Sequence, residues 1–171
     1  LAMRQLTRRN AIRIVGKEVL VGSINGLAFA VIAGVLNEAE IAGFEGAANV
    51  EAMHLDITSE DDRARAAGHS PDVLVNNAAV GHLGPLALVP MDRVRQSFEV
   101  NVFATLQMTQ AVIPAMLRRG SGRIVIVSSV AGVRASAMAG PYAMTKHALQ
   151  AMGSSLRAEL APQGIDVALA N

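Results

Sequence analysis

Short runs of apolar residues alternate along this chain with stretches of helical character, and this alternation restricts the fold more than any other feature. The three clearest runs cover residues 72–76, 123–128 and 165–170. Continuous apolar strands are typical of a parallel sheet that is covered on both faces, whereas a sheet with one wet face alternates polar and apolar residues. Strands of this kind separated by helices predict an α/β fold.

Two helices have clear signals at their ends. A helix is predicted over 141–161, because it begins with a proline and because Pro162 and Gly164 follow it. A second helix is predicted after Thr58, which is interpreted as its N-cap, and Gly68 lies just past its end.

A third helical stretch covers residues 91–119, and Pro114 is expected to bend or break it. The other predicted elements are strands at 19–21 and 49–55 and a helix at about 26–36.

Only 12 residues, 37–48, lie between that last helix and the strand that starts at residue 49. They are too few for another strand together with the crossover that a parallel neighbour needs. One strand–helix unit is therefore expected to be degenerate, or residues to be missing there. We interpret residues 1–18 as an N-terminal extension of unclear role and residues 19–171 as one domain.

The composition excludes several classes of protein. The 171 residues are 51% hydrophobic and 17% charged, which is typical of one compact domain. A formal net charge of +1 gives no reason to expect nucleic acid or an anionic membrane as a partner. The chain has no cysteine, which excludes disulfides and thiolate metal sites and fits a cytoplasmic location. The four histidines lack the spacing of a metal site, so no metal is predicted.

Residues 19–36 form an uncharged run of 18 residues, which is near the lower limit for a helix that spans a membrane. The run contains Ser23, Asn25 and three glycines, so a buried strand, a glycine turn and a buried helix explain it better. A protein anchored in a membrane through this run is the alternative.

A turn with the sequence GSINGLA, residues 22–28, separates the predicted strand at 19–21 from the predicted helix. Glycine lets the backbone turn sharply and approach a ligand, and the free N–H groups at a helix start hold phosphate. The turn is therefore a candidate pyrophosphate site. Its glycine spacing is not G-x-G-x-x-G, so an ordinary turn is the alternative.

Tyr142 and Lys146 are four residues apart on a predicted helix, so both side chains can face one site. A nearby cation stabilises a phenolate, which would let the tyrosine exchange a proton near neutral pH. Ser129 ends a predicted strand and could donate a hydrogen bond to a substrate oxygen. A solvated tyrosine and lysine are the alternative, although Tyr142 is the only tyrosine in the chain.

Two further segments follow predicted strands. The small residues and amides of NNAA, residues 76–79, suit a closely packed ligand, with an ordinary turn as the alternative. Asp56 follows the strand at 49–55, and taken alone it is better explained as a cap or turn residue.

Taken in order, the segments GSINGLA, LDIT, DVLVNNAA, EVNVFA, GRIVIVSSVAG and YAMTK resemble the motifs of the short-chain dehydrogenase/reductase (SDR) family of the YxxxK type. The resemblance covers residues 19–171. It implies a Rossmann-like, doubly wound parallel β-sheet with helices on both faces, a three-layer α/β/α architecture. It also implies an NAD(P)-dependent oxidoreductase that transfers a hydride between nicotinamide and a carbonyl or secondary alcohol. The alternative is a non-catalytic or truncated dinucleotide-binding homologue.

The resemblance implies a role for each matching residue. Tyr142 is the catalytic acid/base, Lys146 promotes ionisation of the phenol and binds the nicotinamide ribose, Ser129 orients the carbonyl, and Asn101 holds a proton-relay water. The other residues implied to bind the cofactor are Gly22, Ser23, Asn25, Gly26 and Leu27 in the phosphate-binding turn, Asp56 and Ile57 beside the adenine, and Asn76, Ala78 and Ala79 along the cofactor.

The resemblance leaves the choice between NAD and NADP open, because the second strand, whose end normally carries the selecting residue, is missing from the predicted elements. Glu40 and Glu45 lie roughly where an acid would fall. The lack of a basic residue at 23–25 gives a slight lean to NAD.

The resemblance also implies partners. The substrate is a small-molecule carbonyl or alcohol, and the lobe that would select it is expected beyond residue 171. A homodimer or homotetramer is expected, formed through helices 91–119 and 141–161.

Overall fold

The computed structural model of the protein describes residues 9–14, 29–47 and 49–171. The strands in these ranges are β1 (Arg9–Ile14), β2 (Phe29–Val35), β3 (Val50–His54), β4 (Val73–Asn76), β5 (Gly122–Val127) and β6 (Ile165–Ala170). They form one parallel sheet in the order β3–β2–β1–β4–β5–β6. This is the strand order of a doubly wound α/β sheet, and the predicted fold class is confirmed.

Helices lie in the described connections, which join β2 to β3, β3 to β4, β4 to β5 and β5 to β6. The α-helices are α1 (Glu60–Gly68), α2 (Met91–Phe98), α3 (Thr105–Arg119) and α4 (Gly140–Leu160). A π-helix, Glu99–Ala104, joins α2 to α3, and short 3-10 helices cover Glu38–Phe44, Val130–Gly132 and Ala161–Gln163.

The direction of each connection decides which face a helix covers. The steps from β3 to β4, from β4 to β5 and from β5 to β6 all cross the sheet in one direction, and the step from β2 to β3 runs in the opposite direction. Crossovers between parallel strands are right-handed. Helices α1 to α4 therefore lie on one face, and the 3-10 helix Glu38–Phe44 lies on the other.

The core lies between the sheet and α1 to α4. Leu74, Ile124 and Ile126 on β4 and β5 have no exposed surface, whereas the alternate residues Val73 and Val125 are half-buried. The helical side of this core comes mainly from α3, whose fully buried residues are Met108, Thr109, Val112 and Met116. Burial of these apolar side chains is the main favourable term in the stability of the fold.

The helix predicted at 26–36 is wrong for its described part, because residues 29–35 form β2 between β1 and β3. A short apolar run fits a buried helix or a buried strand equally well, and only its neighbours decide between them. Gly34 shows how closely β2 is packed, since a Cβ there would lie 2.5 Å from the side chain of Leu55.

Strand β1 lies within residues 1–18, which the sequence pattern assigns to an extension. The structure corrects this for Arg9–Ile14, which pairs with β2 on one side and β4 on the other. The strand missing from the predicted elements is β2, and residues 37–48 contain the 3-10 helix that connects it to β3. The strand predicted at 19–21 lies outside the described residues, and the rest of the domain division stays a prediction.

Two predictions about the helices are also corrected, one about the N-cap of α1 and one about the effect of Pro114. Thr58 does not cap α1, because its amide and hydroxyl both donate to Oδ1 of Asp56, at 2.8 and 2.7 Å. Ser59 is the N-cap instead, and its hydroxyl accepts a hydrogen bond from the amide of Asp62 at 3.3 Å. Helix α3 continues through Pro114, and the irregular part of residues 91–119 is the π-helix.

The helical run Met91–Arg119 is long and apolar enough to cross a membrane when length and composition alone are considered. A core helix passes the same test, and Met108, Val112 and Met116 of this run are fully buried in the fold. In the uncharged run 19–36, residues 29–35 pair with strands on both sides, which excludes a membrane helix over that part.

Gly164 tests the turn between α4 and β6. Its φ is +77°, and a Cβ there would collide with the carbonyl oxygen of Gly120. Gly164→Ala is expected to lower the free energy of unfolding in urea by about 1–3 kcal/mol. The control is Gly68→Ala at the end of α1, where a Cβ would meet nothing within 4 Å and alanine is expected to raise stability by up to about 1 kcal/mol. Equal effects of the two substitutions would contradict this turn geometry.

Candidate active site

The carboxyl ends of β4 and β5 lie beside each other at one edge of the sheet, next to the start of α4. Doubly wound sheets bind ligands at this edge, close to the point where the strand order reverses, which here lies between β1 and β4. Lys146 on α4 connects the helix to this edge, because its Nζ donates a hydrogen bond to the carbonyl oxygen of Val127 at 2.8 Å.

Tyr142 and Lys146 lie together on α4. Lys146 Nζ is 5.4 Å from the centroid of the Tyr142 ring, which is within the range of a cation–π contact. Lys146 is only 3% exposed, and this burial lowers the pKa of its ammonium from 10.5 to about 8, because loss of water disfavours the charged form. Below that pH the buried lysine is a cation beside the phenol.

Two serines follow β5, and each is held by backbone groups. The Ser129 hydroxyl accepts a hydrogen bond from the amide of Ala131 at 3.1 Å and so caps the short helix Val130–Gly132. The Ser128 hydroxyl donates to the carbonyl oxygen of Lys146 at 3.3 Å and accepts from Gln150 Nε2 at 3.1 Å. The segment that carries Ser129 is therefore attached to the same turn of α4 that carries Lys146.

Asn101 lies in the π-helix and joins two parts of the site. Its Oδ1 accepts from the amide of Val80 and its Nδ2 donates to the carbonyl oxygen of Val80, both at 2.8 Å. Nδ2 also donates to Thr145 Oγ1 at 3.0 Å, and that hydroxyl donates to the carbonyl oxygen of Tyr142 at 2.7 Å. Asn101 therefore fixes the loop after β4 to the first turn of α4, and its implied water-holding role stays a prediction.

Four of the implied cofactor residues line one cleft with a volume of about 470 Å³, which is in the usual range for small-molecule sites. The four are Asp56, Ile57, Ala78 and Ala79. They lie just past β3 and β4, and Leu36, the residue after β2, is 65% exposed and also lines the cleft. Two carboxylates, those of Asp56 and Glu99, also line the cleft, and its apolar walls suit the flat adenosine end of a dinucleotide.

Asp56 is held in a fixed orientation at this cleft. Its carboxylate accepts the two hydrogen bonds from Thr58, and its amide donates to the carboxylate of Asp62 at 2.7 Å. The hydrogen bond from the Asp56 amide is the main cause that lowers the pKa of Asp62, with a further contribution from Arg65 and with burial opposing both. The end of β3 is thus tied to α1 by polar contacts.

Asn76, at the end of β4, is 5% exposed and points part of its amide at α3, where Nδ2 donates to Thr109 Oγ1 at 2.9 Å. Within the described part of the chain, its Oδ1 has no hydrogen-bond partner although it is buried. A buried acceptor without a partner is unfavourable, so this oxygen is available to a donor at the strand end.

Five implied cofactor residues lie outside the described residues: Gly22, Ser23, Asn25, Gly26 and Leu27. The helix expected to follow Gly26 does not extend over 29–35, because β2 begins at Phe29. Glu40 lies within the 3-10 helix Glu38–Phe44 and Glu45 is its C-cap, and Leu36 and Asn37 directly follow β2.

The sequence pattern missed the residues that hold the site together. Val80 and Thr145 bind Asn101, Gln150 binds Ser128, and Ser97 binds His82. These partners are 15 to 44 residues apart, and no local pattern reports a contact of that kind. The one local signal was the position of Thr145 directly before Lys146.

The parallel sheet and the cleft at its carboxyl edge define a doubly wound α/β protein of the dinucleotide-binding class. The family model described as short chain dehydrogenase matches residues 24–171. The chain therefore belongs to the short-chain dehydrogenase/reductase family, and the resemblance of its motifs is confirmed.

Several known proteins are similar to this chain. An uncharacterised oxidoreductase of Bacillus subtilis (strain 168), YusZ, is 40% identical over 120 residues, which are 67% of this chain and 43% of YusZ. The NADPH-dependent 3-dehydrocapnine reductase of Ornithobacterium rhinotracheale is 42% identical over 101 residues, 57% of this chain and 36% of the reductase. The crystal structure of a short-chain dehydrogenase from Streptomyces avermitilis matches with a TM-score of 0.77 at 32% identity, over 82% of this chain and 55% of that one.

This chain thus spans about half the length of its relatives, or less. The family uses NAD or NADP. The slight lean to NAD has no support among these relatives, one of which is NADPH-dependent by name.

The burial of Lys146 predicts a pH dependence of stability. Between pH about 8 and 10.5 the folded chain has released the lysine proton that the unfolded chain still binds. The free energy of unfolding is therefore expected to rise with pH across this range. Urea denaturation of the protein and of Lys146→Met measures the effect, and the difference between their slopes isolates Lys146. Parallel slopes would show that burial does not lower the pKa of Lys146 in the folded protein.

Proposed function

We propose that this chain is the cofactor-binding and catalytic part of an NAD(P)-dependent oxidoreductase that acts on a small-molecule carbonyl or secondary alcohol. The observation that carries the proposal is the buried Lys146 ammonium 5.4 Å from the ring centroid of the only tyrosine, at the carboxyl edge of the sheet. Membership of the family and the cleft at the same edge support it.

Tyr142 is the proposed acid/base. In alcohol oxidation the phenolate oxygen takes the proton of the substrate hydroxyl, and in carbonyl reduction the phenol returns a proton to the substrate oxygen. Bound NAD(P) supplies the hydride acceptor or donor. Lys146 favours the phenolate through its charge, and below pH about 8 it carries that charge.

Ser129 is proposed to orient the substrate oxygen. Its hydroxyl accepts from the amide of Ala131, which leaves the hydroxyl hydrogen free to point at a substrate. The carbonyl oxygen of Val127, two residues before Ser129, accepts a hydrogen bond from Lys146, so one short segment positions both side chains.

Cofactor binding is proposed at the cleft lined by Asp56, Ile57, Ala78 and Ala79, with Asn76 at the end of β4 and with Gly22, Ser23, Asn25, Gly26 and Leu27 as the implied phosphate turn. Tyr142 and Lys146 are implied to contact the ribose of the nicotinamide.

Removal of the Tyr142 hydroxyl tests the chemistry. Tyr142→Phe is expected to lower kcat by about 100-fold or more, because it removes the proposed proton donor and acceptor, while the Kd of NADH or NADPH changes little. Absorbance of NADH and NADPH against a panel of carbonyls and alcohols measures turnover. Ser155→Ala, which also removes one hydroxyl but from the exposed surface of α4, is the control. Full activity of Tyr142→Phe would exclude this mechanism, and failure of the protein on every substrate with intact cofactor binding would favour a non-catalytic homologue.

Blocking the cleft tests the proposed adenosine site. Ala79→Trp places a large side chain in the cleft and is expected to weaken dinucleotide binding by about tenfold or more, which corresponds to roughly 1.4 kcal/mol. Ala64→Trp, on the exposed surface of α1 and outside the cleft, is the matched control. Titration of NADH or NADPH fluorescence measures both Kd values. Equal Kd values for the two variants would place the adenosine elsewhere.

We further propose a homodimer or homotetramer in the cytoplasm, formed through α2 to α4. Large apolar side chains support it, since Phe103 on the π-helix, Leu117 on α3 and Met144 on α4 are each between 43% and 50% exposed. Sedimentation velocity would measure the state directly.

A further inference from the structure

A turn of the loop after β4 lies against the candidate acid/base. Gly81 is so close to Tyr142 that a Cβ on it would lie 3.8 Å from Cδ2 of the ring. This stretch has no helix or strand of its own. Its position relative to the phenol is therefore set by the contacts of its neighbours, Val80, His82 and Gly84.

Two backbone anchors bound the turn. Asn101 binds both the amide and the carbonyl group of Val80, as described above. On the other side the amide of Gly84 donates to the carbonyl oxygen of Met138 at 2.7 Å, just before α4. Gly81, His82 and Leu83 lie between these anchors, and a side chain supplies the third contact.

That third contact joins His82 to α2. His82 Nδ1 lies 3.0 Å from Oγ of Ser97, whose side chain is fully buried. The Ser97 hydroxyl donates its single hydrogen to the carbonyl oxygen of Arg93 at 3.0 Å. Ser97 can therefore only accept from the ring, so His82 Nδ1 is the donor. In the neutral ring Nε2 is then an acceptor, and Nη1 of Arg93 lies 3.5 Å from it.

We propose that His82 is a positioning residue: its Nδ1–H hydrogen bond to Ser97 holds the turn of Gly81 against Tyr142 and so sets the orientation of the phenol toward the substrate oxygen. The proposal rests on the proposed function for its effect on turnover. His82 does not act on the substrate itself. Small displacements of a reacting group reduce rates strongly, by up to about 100-fold for 1 Å.

Two substitutions of His82 separate this hydrogen bond from mere bulk or polarity. In His82→Asn the side-chain amide nitrogen can occupy the place of Nδ1 and donate to Ser97. In His82→Gln the amide lies at the distance of Nε2 and loses that donor. We expect His82→Asn to keep at least about half of kcat, and His82→Gln to lose about tenfold with KM and the cofactor Kd within about threefold, as for a misplaced acid/base.

Ser97→Ala removes the same hydrogen bond from the other side. It is expected to lower kcat as His82→Gln does, and the double variant is expected to be no worse than either single one, because both remove one interaction. Ser97 is fully buried, whereas His82 is partly exposed, so the His82 pair decides the question even if Ser97→Ala does not fold.

A second readout needs no turnover. Tyr142 is the only tyrosine and the chain has no tryptophan, so tyrosine fluorescence reports on this ring alone. Acrylamide is expected to quench it more strongly in His82→Gln than in the unsubstituted protein or in His82→Asn, because the turn no longer covers the ring.

Equal quenching and equal kcat in the Asn and Gln variants would overturn the proposal. If instead no substrate is turned over and Tyr142→Phe has no effect, the proposed function fails while the difference in quenching still decides the role of His82.

Discussion

The candidate site depends most on one buried side chain, the amide of Asn101. Its three hydrogen bonds join the loop at Val80 to Thr145 on α4, directly between Tyr142 and Lys146. A buried amide that loses a partner is destabilised by roughly 1–3 kcal/mol for each unpaired group, so the loop and the helix hold one common position. Asn101 also lies in the π-helix, a rare local form that is frequently found at functional sites. The irregular backbone and the polar contact therefore occur at the same residue.

Lys146 shows two opposing demands on one side chain. Its charge stabilises a phenolate, but burial disfavours that charge and lowers its pKa to about 8. The carbonyl oxygen of Val127 and the face of the Tyr142 ring partly replace the lost water. Placing a cation beside the phenol thus lowers the stability of the fold. Groups with a shifted pKa are common at functional sites.

Much of this arrangement could be predicted because it is local. The i, i+4 geometry of a helix brings Tyr142 to Lys146 whatever the rest of the fold does, and the β-branched run 123–128 predicted β5 within one residue at each end. Contacts between distant parts of the chain could not be predicted. Nothing near Asn101 indicates Val80, and nothing near His82 indicates Ser97, because such partners are chosen by the packing of α2 and α4 against the sheet.

The error at β1 and β2 has a physical cause that bears on cofactor binding. Arg9–Ile14 contains two arginines and one asparagine among six residues, which is unusual for a central strand, whereas the apolar run at 29–35 fits either type of element. The end of β2 lies beside the cleft, because Leu36 follows this strand directly and lines the cleft together with Ala79. The assignment of 29–35 as a strand therefore adds a third strand end, beside those of β3 and β4, to the candidate cofactor cleft.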